Sequence, residues 1–161
     1  MQDIYCLDSS SLIDLKKNIP SDVFPSLWTR LDKLVDAGRI ISHIEVYKEV
    51  ADGNDSLAQW TKRHKSIFQR IDAQQIDLVR EIECKFPALA HPNKERANAD
   101  PFLIALAIIK NQERTLFPAH YLLVTEERIK GNQIRIPVVC KHYGIECIRH
   151  IDMLRREGWK F

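Results

Sequence analysis

The chain has 161 residues, enough for one domain with a substantial core. Hydrophobic residues make up 45% and charged residues 29%, as in ordinary globular proteins, and the longest apolar run, Phe102 to Ile109, is too short to cross a bilayer, so no membrane partner is expected. The net charge of +2 does not by itself call for a polyanion, but from Arg128 onward eight basic residues face three acidic ones, a local +5 that leaves −3 for the rest.

Met1-Gln2-Asp3 lacks the basic and apolar regions of a signal peptide, which points to a cytoplasmic protein. Ile4 to Leu7 reads as a short buried strand, and Asp8-Ser9-Ser10-Ser11 as a polar turn into a helix from near Leu12. Val23, Phe24, Leu27, Trp28, Leu31, Leu34 and Val35 recur at helical spacing, with Gly38 as a stop. Arg39 to Ser42 predicts a second strand, and His43 to Ala51 a helix broken by Asp52-Gly53-Asn54.

Two amphipathic helices are expected around Ser56 to Arg70 and Gln74 to Phe86, and Pro87 to Ala99 reads as a loop approaching the site. Asp100 suits an N-cap and Pro101 the first helical position of a helix reaching about Asn111, apolar on nearly all sides. Tyr121 to Thr125 is the clearest later strand. Pro137 starts a short helix that Gly144 ends, and Ile145 to Ile148 forms another strand. This order of elements indicates a single α/β domain with a mainly parallel sheet, and no repeat or linker divides residues 1–161.

Four acids stand in similar settings along this frame. Asp8 ends the first apolar run, Glu49 lies in Val46-Tyr47-Lys48-Glu49-Val50, Asp100 opens the most apolar helix, and Glu127 follows Leu122-Leu123-Val124-Thr125. If the strands are parallel and adjacent, Asp8 and Glu127 leave the sheet at its carboxyl edge, where open α/β folds place their sites. Converging carboxylates repel one another, and a divalent cation relieves the repulsion. The competing reading makes Asp8 and Asp100 local caps, and leaves Glu49 solvated beside Glu45 on one helix face.

Other chemistries are poorly served. Ser10 stands where a haloacid-dehalogenase-like phosphatase needs a second aspartate, and five glycines form no phosphate-cradling loop. Cys6, Cys84, Cys140 and Cys147 include no C-x-x-C pair, so reduced thiols are expected, and the spacing of Cys140, His142, Cys147 and His150 matches no common zinc pattern.

Taken together, Tyr5-Cys6-Leu7-Asp8-Ser9-Ser10-Ser11, Val46-Tyr47-Lys48-Glu49-Val50 with Trp60 downstream, Asn98-Ala99-Asp100-Pro101-Phe102-Leu103-Ile104-Ala105 and Val124-Thr125-Glu126-Glu127 make a further pattern. Ile136-Pro137-Val138-Val139-Cys140 and Tyr143-Gly144-Ile145-Glu146-Cys147 complete it. Over almost its full length the chain resembles PIN-domain proteins, in particular the PIN-like family DUF4411. The resemblance implies a three-layer α/β/α sandwich and a ribonuclease of the kind found in toxin–antitoxin pairs. It implies Asp8, Glu49 and Asp100 as the core metal-binding acids, with Glu127 as the fourth where relatives more often carry aspartate. Glu126 is the alternative to Glu127, and Glu45 to Glu49, while Ser10 and Thr125 are supporting residues. The implied cofactor is Mg²⁺ or Mn²⁺, the implied substrate RNA, and the implied products carry a 5′-phosphate and a 3′-hydroxyl. A toxin would have an antitoxin partner. The Trp28 and Trp60 helices are read as core, with a homodimer or partner surface as the alternative. An RNA- or protein-binding module without catalysis is the competing function.

Overall fold

Tyr5, Cys6 and Leu7 have no solvent exposure, and a run buried on both faces suits only the middle of a parallel sheet. A computed structural model of the chain, which describes residues 1–70, 72–89 and 98–161, places them there. Strand β1 (Gln2–Leu7) lies between β2 (Ile40–His43) and β4 (Ala119–Val124), with β3 (Phe68–Gln69) and β5 (Cys147–Ile148) outside them. The order is β3-β2-β1-β4-β5 and every pairing is parallel.

Among the described residues eight α-helices flank this sheet, giving a three-layer α/β/α sandwich: α1 (Ser9–Asn18), α2 (Pro25–Asp36), α3 (Ile44–Val50), α4 (Ser56–Arg63), α5 (Ala73–Lys85), α6 (Ala99–Gln112), α7 (Ile136–Tyr143) and α8 (His150–Arg156). The central helix is α6, whose residues Leu103 to Ile109 are all buried and which packs on α5, β4, β2 and α3. No helix among the described residues is long and apolar enough to cross a membrane.

The strand order reverses between β1 and β4, which are parallel and adjacent as the placement of Asp8 and Glu127 at the carboxyl edge required. Leu7 pairs in register with Val124, and the Asp8 amide donates to the Val124 carbonyl at 3.1 Å. Asp8 and Thr125 therefore leave the sheet side by side at its carboxyl edge, where the chain turns away in opposite directions to fill the two halves. This reversal point is where open α/β sheets form a crevice.

Several elements differ from expectation. The helix expected to reach Arg70 stops at Arg63, and Phe68–Gln69 becomes an edge strand registered on Ser42 and His43. Leu57, Trp60, Ile67 and Phe68 are all buried and keep a helical spacing, but the unpaired edge of β2 recruits Phe68 and Gln69 as backbone partners. The first helix starts at Ser9 rather than near Leu12, because Asp8 itself is the N-cap and accepts the Ser11 amide at 2.7 Å. Asp100 is not the N-cap of α6: Asn98 takes that role and accepts the Asp100 amide at 3.3 Å, which puts Asp100 inside the first turn. The short helix α8, too brief to show a period in the sequence, follows β5. Residues 90–97, most of the stretch read as a loop approaching the site, lie outside the described residues.

Trp28 and Trp60 are core residues, as their spacing suggested. Their rings meet edge to face at 5.8 Å, and each indole N–H is satisfied, by the Ile19 carbonyl and the Asp32 carboxylate respectively, both at 2.8 Å.

Candidate metal centre

Asp8 is only 2% exposed, yet its hydrogen-bond partners among the described residues are all neutral. Oδ1 accepts the Ser11 amide, while Oδ2 accepts the Ser10 hydroxyl at 2.8 Å and the Thr125 hydroxyl at 2.5 Å. Both hydroxyls also accept a backbone amide: Glu126 N–H donates to Ser10 Oγ at 3.0 Å and Glu127 N–H to Thr125 Oγ1 at 3.1 Å. Two N–H to O–H to carboxylate chains thus converge on one oxygen, each link polarising the next. Burial outweighs these donors and lifts the Asp8 carboxyl to about 6.

Glu49, half-buried on α3, joins two helix starts. Oε2 accepts the Ser9 hydroxyl, the residue after Asp8, and Oε1 accepts the Ala99 amide, the residue before Asp100, at 3.3 Å. Glu49 thus ties the start of α1, next to Asp8, to the start of α6, where half-buried Asp100 lies in the first turn. Glu45, one turn before Glu49, takes a different course: it is 7% exposed and its carboxylate pairs with Lys48 at 2.8 Å.

The two glutamates after β4 serve other helices. Glu127 accepts the Ile136 amide at 3.1 Å, capping the start of α7. Glu126 accepts the His150 amide at 2.9 Å at the start of α8 and pairs with Arg149 at 3.0 Å. Its Oε1 also lies 3.5 Å from His150 Nε2, which bonds Asp14 Oδ2 at 2.6 Å. Asp14, Glu126 and His150 are the three ligand types among the described residues whose donor atoms lie within 4.8 Å of one another, and they could hold a metal ion. Asp8, Glu49, Asp100 and Glu127 do not form a group at that spacing. Asp14 and His150 were not singled out as a metal set from sequence, because one sits six residues beyond Asp8 inside a helix and the other opens a helix the spacing did not reveal.

The family model described as a domain of unknown function, DUF4411, matches residues 5–161. The chain belongs to this family. No curated protein matches this DUF4411 chain. The crystal structure of PAE2754 from Pyrobaculum aerophilum is similar over 89% of this chain and 98% of that one, at 14% identity and a TM-score of 0.39.

Two donor sets in this DUF4411 chain differ in chemistry. Asp8, Glu49 and Asp100 offer oxygen only, which suits a hard cation such as Mg²⁺ that keeps several waters and needs one or two carboxylates directly. Asp8 in addition carries a buried charge with no cationic partner among the described residues. The Asp14–Glu126–His150 set is already internally satisfied on its carboxylates, and buried His150 Nδ1 has no partner among the described residues. Ligation through Nε2 would place the ring proton on that Nδ1 with nothing to accept it, a poor arrangement for a metal-bound histidine. By donor type the oxygen-only set suits a hard divalent cation, whereas among the described residues Asp14, Glu126 and His150 are the group whose donor atoms converge within 4.8 Å.

Proposed function

We propose that this protein is a divalent-metal-dependent endoribonuclease, with Asp8, Glu49 and Asp100 holding Mg²⁺ or Mn²⁺. The observation that carries the reading is Asp8: a buried carboxylate at the reversal of strand order, fixed by three neutral donors and joined through Ser9 and Glu49 to the start of the helix bearing Asp100. Burying a charge this deeply is costly, and in a functional crevice a cation offsets that cost.

The bound ion would acidify a water and stabilise charge on the phosphoryl oxygens. The chain's own residues hold and orient. Ser10, Ser11 and Thr125 fix the plane of the Asp8 carboxylate, and Glu49 keeps the Asp8 and Asp100 turns together. Glu127 supports this arrangement indirectly, because its carboxylate is engaged at α7 while its amide donates to Thr125. The sequence resemblance to PIN-domain ribonucleases supports RNA as the substrate and the role of toxin with an antitoxin partner.

Cleavage of an RNA panel with Mn²⁺, Mg²⁺ or EDTA, by wild type and Asp100→Asn purified in parallel, tests the proposal. A second reading, a binding module without catalysis, draws on the engagement of Glu126 and Glu127 with helix starts, which leaves three acids for the centre.

A further inference from the structure

The connection after β4, the start of α7 and the start of α8 enclose a cleft of about 340 Å³ that opens beside Thr125. Thr125 is the residue whose hydroxyl bonds Asp8, so the cleft adjoins the candidate metal centre. Its volume lies at the small end of ligand pockets, the size for one small polar molecule with an apolar part.

We propose that this cleft is a single-nucleotide subsite for single-stranded RNA, with a phosphate held by Arg128 and Arg149 and the nucleoside resting on Ile129, Pro137 and Ile148. It rests on the nuclease reading in one respect, that the nucleotide belongs to the strand presented to Asp8.

The cleft's two acids and two arginines balance in charge, but their hydrogen-bonding capacity differs, and that difference favours an anion. Its two acids are already engaged by the protein. Glu127 accepts the Ile136 amide, and Asp152 accepts the Arg149 amide at 3.4 Å and pairs with Arg155 at 3.0 Å. The cations are less engaged. Arg128 is exposed and makes no hydrogen bond or ion pair among the described residues. Arg149 uses Nε on Glu126 at 3.0 Å, and its two terminal nitrogens have no partner among the described residues. A guanidinium fixed through Nε presents its other edge as a preset fork, the geometry that phosphate oxygens accept.

The apolar wall accounts for the rest of the ligand. Ile148 and Pro137 are half-buried, whereas Ile129 is 61% exposed and forms the outer lip. An apolar surface beside two arginines serves a base and its phosphate better than a free inorganic anion. A base displayed to such a wall must be unstacked, which is how single strands rather than A-form duplexes are read.

The test is fluorescence anisotropy with a 5′-labelled single-stranded RNA in EDTA, where no metal-dependent cutting occurs. Arg128→Gln should weaken binding about fivefold or more and lower the slope of log K against log salt by about 0.7, the value for one lost phosphate contact on a single strand. Arg149→Gln should do the same, and because it also loses the Glu126 pair, Arg128→Gln is the decisive variant. Wild-type affinity and an unchanged salt slope in Arg128→Gln would overturn the subsite, as would the absence of RNA binding by wild type. Binding that depends on Arg128 without cutting in Mn²⁺ or Mg²⁺ would uphold the subsite and remove the nuclease reading. Cutting without Arg128 dependence would do the reverse.

Discussion

Thr125 donates its hydroxyl to the carboxylate of Asp8 across 117 positions of sequence, joining the carboxyl ends of β4 and β1 at the point where the strand order reverses. The same hydroxyl receives the Glu127 amide, so the turn after β4 and the site acid are held by one side chain. Removing it should be felt twice. Thr125→Val leaves a buried carboxylate short of a donor and an amide without an acceptor, and should cost about 1–3 kcal/mol in urea denaturation, with Thr125→Ser recovering most of it. Equal stability of Thr125→Val and wild type would show that the hydroxyl holds nothing in place.

Asp8 should make the metal-free protein less stable as pH rises from about 4 to about 6. Its folded pKa of about 6 exceeds the ordinary value of 3.8, so in that window the folded state binds the extra proton. Stability from this group is therefore fully present below the lower value and lost on passing the higher one. The two-unit gap corresponds to roughly 3 kcal/mol at most. The difference between wild type and Asp8→Asn across this window, in EDTA, isolates the effect. A flat difference would mean that the carboxylate is not held in a poorly solvating place.

Metal binding should distinguish the two donor sets. Mn²⁺ at about a hundred times its dissociation constant stabilises a folded protein by about 2.7 kcal/mol, a clear rise in melting temperature. That rise should disappear in Asp8→Asn and Asp100→Asn and persist in His150→Ala. Its loss in His150→Ala with retention in Asp8→Asn would move the centre to Asp14, Glu126 and His150.

Glu49 and Glu127 should differ sharply on conversion to glutamine. Glu49 accepts from Ser9 and from the Ala99 amide, between the two aspartates, so Glu49→Gln should reduce cleavage by a hundredfold or so, of order 3 kcal/mol in transition-state stabilisation. Glu127 caps α7, and a neutral amide oxygen still accepts the Ile136 amide, so Glu127→Gln should cost under about 1 kcal/mol of stability and little activity. Equal losses of kcat in the two variants would place Glu127 among the metal ligands.

The parts of this fold that were legible in the sequence are those with unambiguous patterns. Ile4 to Leu7 and Leu122 to Val124 are too uniformly apolar for anything but buried strands, and Phe102 to Ile109 for anything but a central helix. Phe68–Gln69 was not legible, because two residues carry no period and the preceding helix spacing runs straight into them. At the site, Asp8 could be placed at a strand end from its own neighbours. The roles of Glu126 and Glu127 could not, since adjacent acids in a loop look alike until the amides of Ile136 and His150 each claim one. The Asn98 cap was masked by the Asp-Pro pair at Asp100, which on composition alone is an equally good helix start.

The most direct measurement is cleavage of structured and single-stranded RNA by wild type and by Asp100→Asn, each with Mn²⁺, Mg²⁺ or EDTA. Cutting by wild type alone, in either metal and not in EDTA, with 5′-phosphate ends on the products, is the expected result. Equal cutting by the two proteins, or cutting that survives EDTA, would contradict a metal centre built on these acids.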